Sequence, residues 1–284
     1  MAVVALLTDF GTQDHYVGVL KGVIFSLCPQ AQVVDIGHGV PPYQELAAQF
    51  LLQQAYPYFP PGTIYLVVVD PGVGSARRPL ALRTPWGYGV GPDNGIFTPW
   101  FDQAEQVVVL NRPRYWRTPT PSQTFHGRDI FAPVAAHLAV GVPLTELGES
   151  VDPATLVRES PPPPIATATG WRSTIQYIDH FGNLITTLPA AGLPRAGAFT
   201  VELAGRRIPW GRSYSDVPVG ALVALVGSHG YVEIACRQGN AAQVCGAKIG
   251  DAVALVLPTH GDNGENPSHP GCQSGPGAGG VAGP

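Results

Sequence analysis

The sequence predicts an α/β domain followed by a small all-β domain. Three observations carry that expectation. Apolar runs alternate with amphipathic helical stretches from Ala2 to Val140. The four-proline run Pro161–Pro164 can continue neither a helix nor a central strand, so it marks a linker. Beyond it, six short β-type runs are separated by turn residues. A length of 284 residues agrees, being more than one domain usually holds and less than three.

Ala2–Leu7 is an apolar run that breaks at Thr8-Asp9-Phe10-Gly11, the pattern of a buried strand entering a loop. Tyr16, Val17, Val19, Leu20, Val23, Ile24 and Leu27 then repeat at helical spacing, with Asp14 placed to cap the helix and Pro29 to stop it. Gln32–Ile36 reads as the next strand and Glu45–Tyr56 as a second helix. Thr63–Val69 is a strand apolar enough to be buried on both faces. This alternation implies a parallel or mixed sheet with right-handed crossovers, expected here to be mostly parallel. Ligands in such sheets bind beyond the carboxyl ends of the strands, where Asp9 and Asp70 fall. A strand at Gln106–Leu110 and a helix at Asp129–Val140 complete a domain expected to span residues 1–160, followed by a linker over 161–169. Thr174–Ile178, Leu184–Leu188, Phe199–Leu203, Ala221–Val226, Tyr231–Ala235 and Ala252–Leu257 supply a sandwich or barrel over residues 170–258. Residues 259–284 are rich in Gly, Pro, Asn and Ser and are expected to be disordered.

Apolar residues make up 45% of the chain and charged residues 13%, which excludes general disorder. The formal net charge of -4 offers no basic field for nucleic acid or an acidic membrane surface. Cys28, Cys236, Cys245 and Cys272 show no paired spacing, so reduced thiols in a cytoplasm fit best. No basic leader precedes the first apolar run and no stretch reaches membrane-spanning length, so a cytoplasmic protein is expected.

Asp70-Pro71-Gly72-Val73-Gly74 leaves a buried strand and turns through two glycines toward Arg77 and Arg78. No Lys-Ser/Thr follows, so this is not a P-loop; it is either a ligand loop or a turn held by an Asp–Arg ion pair. His126, in Phe125-His126-Gly127-Arg128-Asp129, reads as an exposed loop residue before a helix that Asp129 caps. Gly91-Pro92-Asp93-Asn94-Gly95 reads as a turn, Asp179-His180-Phe181-Gly182-Asn183 as a hairpin loop, and Ser228-His229-Gly230 as a strand connection. No HExxH, HxH or paired-carboxylate spacing points to a catalytic metal.

In this order the segments resemble the S-adenosylmethionine (SAM) hydroxide adenosyltransferases, relatives of the fluorinases and chlorinases, over roughly residues 3–258. The resemblance implies a Rossmann-like first domain, a β-barrel second domain and a homotrimer whose sites lie between one subunit's first domain and its neighbour's second. It implies that Asp9 holds the ribose hydroxyls, while Asp14 and Asp179 lie near the methionine ammonium. Tyr43 and Phe125 would line the nucleoside pocket, Asn183 and the Arg237–Ala241 stretch would read adenine, and Ser228 and Ala241 count among the substrate contacts. Asp70, Arg77 and His126 match the Asp, Arg and His of the water-using members. Halide-using relatives put Tyr where Asp70 stands, and fluorinases have Thr and Ser where Val73 and Gly127 stand. The short run from Gly95 to Gln106 also leaves no room for their inserted loop. His229 departs from the pattern, since relatives have Ser or Arg there, near the methionine carboxylate.

The activity so implied is hydrolysis of SAM to adenosine and methionine, with no cofactor, no metal and no nucleic-acid or membrane partner. A halide-using 5′-halo-adenosine synthase and a non-catalytic SAM or adenosine binding protein stand as alternatives. The group that accepts the water proton stays open, because an Arg beside a carboxylate weakens it as a base while a histidine titrates nearer neutrality.

Overall fold

Strands apolar at successive positions must bury both faces, and the first domain does so with helices on either side of one sheet. The computed structural model describes residues 2–194 and 199–257; the expected disorder of 259–284 lies outside them. The first domain runs β1 (Val3–Thr8), α1 (Tyr16–Leu27), β2 (Gln32–Gly37), α2 (Glu45–Ala55), β3 (Thr63–Val68), β4 (Pro79–Thr84), β5 (Gly87–Pro92), α3 (Thr98–Phe101), β6 (Gln106–Val109), α4 (Ala132–Ala139), α5 (Leu144–Leu147) and β7 (Glu149–Ser150). Val4, Leu6, Ile64, Leu66 and Val68 pack on one face with Leu20 and Ile24 of α1 and Val134 and Ala135 of α4. Ala5, Leu7, Tyr65 and Val67 pack on the other with Ala48 and Leu52 of α2.

The strand order is β2-β1-β3-β5-β4-β6-β7. β2, β1, β3 and β5 are mutually parallel, whereas β4 lies antiparallel between β5 and β6, and β7 is antiparallel to β6. The sheet is therefore mixed, not mostly parallel. Strands β4 and β5 escape sequence reading because the segment is rich in Pro and Arg and β5 alternates Gly87, Gly89 and Gly91, leaving no apolar pattern. The helix expected at Asp129–Val140 is instead a π-type turn, Gly127–Phe131, continued by α4.

The second domain contains β8 (Ile165–Thr167), β9 (Gly170–Ile178), β10 (Leu184–Pro189), β11 (Thr200–Leu203), β12 (Arg206–Pro209), β13 (Leu222–Val226), β14 (Tyr231–Cys236), α6 (Ala241–Cys245) and β15 (Ala252–Val256). Its antiparallel order is β12-β11-β15-β9-β10-β14-β13, with β8 paired to β9. The two ends nearly meet: Trp210, just past β12, bridges to Ala224 of β13, and the Gly211 N–H donates to the Ala224 carbonyl at 2.8 Å. A barrel-like sheet results, filled by Ile175, Val201, Ile208, Ile234 and Leu255. The domains touch through Phe50 of α2, whose ring lies 5.3 Å from that of Tyr177 on β9.

Candidate active site

Parallel neighbours β1 and β3 send their following loops to the same edge of the sheet. After β1, buried Thr8 pairs its Oγ1 with His38 Nδ1 at 2.9 Å and accepts the Phe10 N–H at 3.2 Å, which sets the turn that presents Asp9. Asp9 Oδ2 accepts the Tyr43 N–H at 3.3 Å. Tyr43 holds a left-handed backbone (φ 64°), an uncommon conformation for a bulky residue and one concentrated at binding sites. Burial raises the Asp9 carboxyl above its ordinary range, with the Tyr43 N–H opposing.

After β3, Asp70 meets Arg77: Nε donates to Oδ1 at 2.8 Å and Nη2 donates to Oδ2. The same Nη2 lies 2.7 Å from His126 Nδ1. A guanidinium only donates, so Nδ1 is the acceptor and the hydrogen of the neutral ring sits on Nε2. Burial first, and the Arg77 charge second, lower the His126 pKa below its ordinary value. Arg77 Nη1 is buried with no hydrogen-bond partner among the described residues. Gly74 (φ 78°) seats this loop on the segment before His126, since a Cβ there would lie 2.3 Å from the Gln123 carbonyl oxygen.

His126 is buried, not exposed, and stands at the start of the π-type turn. Asp129 is no helix cap. It is fully buried, and its carboxylate accepts Arg128 Nε and Nη2 at 2.7 Å each and the Ser122 N–H at 2.9 Å. Although burial opposes ionisation, these bonds hold its pKa below the ordinary value and draw the segment carrying Phe125 and His126 onto the helix start.

Asp9, Tyr43, Asp70, Phe125 and His126 line one cavity of about 350 Å³, together with Phe10, Tyr16 and Val73. Arg77 joins two of its walls from outside the lining. Phe10 and Tyr16, which sequence reading left in a loop and a helix core, form with Phe125 an aromatic wall with ring centroids 5.3 to 5.9 Å apart. Their signal in the sequence is two aromatics flanking the loop that follows Asp9. Asp14 is exposed, lies off this cavity and caps nothing; the residue at the cap position of α1 is His15.

The remaining expected residues lie elsewhere. Asn183 and Arg237 line a second-domain cavity of about 860 Å³ with Phe181 and Tyr214. Asp179, Ser228 and His229 line another of about 260 Å³ against Phe50 and Tyr58 of the first domain. Asp179 shapes its own loop: Oδ1 accepts the N–H groups of Phe181 and Asn183 and Oδ2 the Asn183 amide, each at 2.9 Å. Ala241 is fully buried and lines none of these cavities. Among the described residues no three His, Cys, Asp or Glu side chains gather as a metal-ligand set, and no helix is long and apolar enough to cross a membrane.

Both domains match known family models: residues 4–148 fit the SAM hydroxide adenosyltransferase N-terminal domain and residues 173–254 its C-terminal domain. The chain belongs to this family. An (R)-S-adenosyl-L-methionine hydrolase of Thermus thermophilus is 43% identical over 268 residues, covering 90% of this chain and 100% of the relative. A fluorinase of an Actinoplanes species is more distant, 29% identical over 292 residues with 89% and 97% covered. The crystal structure of an uncharacterized conserved protein from Thermotoga maritima has a TM-score of 0.82 at 33% identity and covers 89% of this chain and 99% of its own. The cavity of Asp9, Asp70 and His126 thus lies within the hydroxide adenosyltransferase N-terminal domain, and that of Asn183 and Arg237 within the C-terminal domain.

Proposed function

We propose that this hydroxide adenosyltransferase hydrolyses SAM to adenosine and L-methionine by attack of water at the ribose C5′. The observation that carries the reading is Arg77 joining Asp70 to His126 on the cavity that also holds Asp9. A sulfonium makes C5′ electrophilic and departs as neutral methionine, so the leaving group needs no general acid, and the reading calls for no cofactor. The protein's task is to aim and desolvate the nucleophile. Asp9, acceptor-only when ionised, suits the two ribose hydroxyl donors, which offset the burial that disfavours its charge. With Nδ1 engaged by Arg77, His126 meets water as an Nε2–H donor, and Asp70 is the carboxylate that orients the water and receives its proton.

The Thermus relative is named for the (R) sulfonium centre, and we extend that preference to this chain. Two further features belong to the same reading. The separation of the Asp9 cavity from the Asn183 cavity within one chain supports a homotrimer in which neighbouring subunits complete each site. Free thiols at Cys28, Cys236 and Cys245 support a cytoplasmic setting.

Incubation with SAM of mixed sulfonium configuration tests the proposal. Equal amounts of adenosine and methionine, formed from the (R) epimer, are expected. A 5′-halo-adenosine formed with chloride or fluoride would assign the halide reaction instead, and SAM bound but unchanged would assign a binding protein.

A further inference from the structure

The β13–β14 hairpin carries a polar chain, centred on the buried Glu233, that the proposed chemistry does not use. Its tip closes with the Gly230 N–H on the Gly227 carbonyl at 2.9 Å and the Gly227 N–H on the Tyr231 carbonyl at 3.0 Å. The His229 ring folds back along this tip. Its Nδ1 accepts the Tyr231 N–H at 3.2 Å, so Nε2 carries the hydrogen and donates to Glu233 Oε2 at 2.9 Å. Glu233, on β14, is 4% exposed, and its other oxygen accepts the Tyr214 hydroxyl at 2.9 Å. Gly227 leaves the necessary room, since a Cβ there would lie 2.3 Å from His229 Nε2 and 2.6 Å from Glu233 Oε2.

The two ends of the chain face different cavities. His229 sits beside Ser228 and Asp179 at the domain boundary, and Tyr214 lines the larger cavity with Asn183 and Arg237. Tyr214 is 47% exposed although its hydroxyl is tied to a buried carboxylate. Burial, then the Glu233 contact, push the phenol pKa up to about 12, so the hydroxyl stays a donor across the neutral range. An exposed aromatic ring fixed at its far end has little freedom left to lose when a flat ligand stacks on it.

We propose that Glu233 and His229 are positioning residues that hold the Tyr214 ring as a fixed stacking platform for the purine and keep the Ser228 tip in register with it. Both His229 ring nitrogens are paired within the protein, so this histidine contacts no substrate group, and its departure from its relatives is a change of scaffold. The proposal rests on the SAM reading above.

Glu233→Ala leaves two partly buried donors unpaired and threatens folding, so Tyr214→Phe, which removes one hydroxyl, and His229→Ala are the primary variants. Each is expected to raise KM for SAM about three- to tenfold, the range that corresponds to immobilising one side chain, with kcat nearly unchanged. The double variant should be no worse than the poorer single one, because both act through the same carboxylate. Calorimetric binding of adenosine should weaken by the same factor. A lowered melting temperature with unchanged KM would make the chain merely structural and overturn the proposal, as would additive KM effects or a loss confined to kcat. Wild-type protein that neither hydrolyses SAM nor binds adenosine overturns the functional reading and this proposal together. Normal wild-type turnover with unaffected variants overturns this proposal alone.

Discussion

Arg77 donates to Asp70 and to His126 Nδ1 with the same terminal nitrogen, and that one contact decides the tautomer of the histidine. The folded pKa of His126 is depressed, so the neutral ring's contribution is fully present above the ordinary histidine value of about 6.5 and is lost as pH falls through the lower folded value. kcat/KM is accordingly expected to hold as pH drops through about 6.5 and to decline only below it. An acidic midpoint at or above that value, absent in His126→Asn, would contradict a buried neutral ring. Asp9 has the opposite sign: its folded pKa is raised, so its ionised form at neutral pH costs stability in the free protein. Asp9→Asn should melt at the same or a higher temperature yet show KM for SAM raised by roughly tenfold or more, a trade of stability against binding. Thermal melts and initial rates on the same preparation check both halves.

The elements that position these side chains were legible to different degrees. Val17, Leu20 and Ile24 repeat on the buried side of α1, and all six residues of β3 are buried, so periodicity and apolar run length found both elements. The π-type turn after His126 has no such signal. Asp129 looked like a cap because it follows a loop and precedes an apolar run; it serves instead as a buried acceptor for Arg128 and Ser122. Asp129→Asn removes the charge that the Arg128 fork requires and should cost about 1–3 kcal/mol in urea denaturation. It should also lower kcat, because the Ser122–His126 segment loses its anchor. Normal kcat in a destabilised variant would show that the anchor serves folding alone.

In the molecule as a whole, the residues expected at the ribose and the reacting centre line one domain, and those expected at adenine line the other. A site shared between subunits makes a sharp prediction. Asp70→Ala and Asn183→Ala chains, each severely impaired, should regain activity when mixed after reversible dissociation, because some sites then receive Asp70 from one subunit and Asn183 from the next. A site confined to one chain leaves every pocket with one defect. No recovery despite demonstrated subunit exchange would therefore place the site in the cleft between the domains of a single chain.

Local pattern sufficed for β1 to β3 with the helices between them, for β6 and six strands of the barrel, for the division into an α/β and an all-β domain, and for the motifs by which the chain resembles its family. It could not reach the mixed sheet, because the antiparallel insertion of β4 depends on which neighbour its edge meets rather than on its own residues. Nor could it reach the tautomer of His126 or the pairing of Tyr214 with Glu233, since Arg77 lies 49 residues before His126, and Tyr214 lies 19 before Glu233. Periodicity reports which face a segment buries. The partner a polar side chain finds on that face, and hence its protonation and its chemistry, is settled only when distant segments pack together.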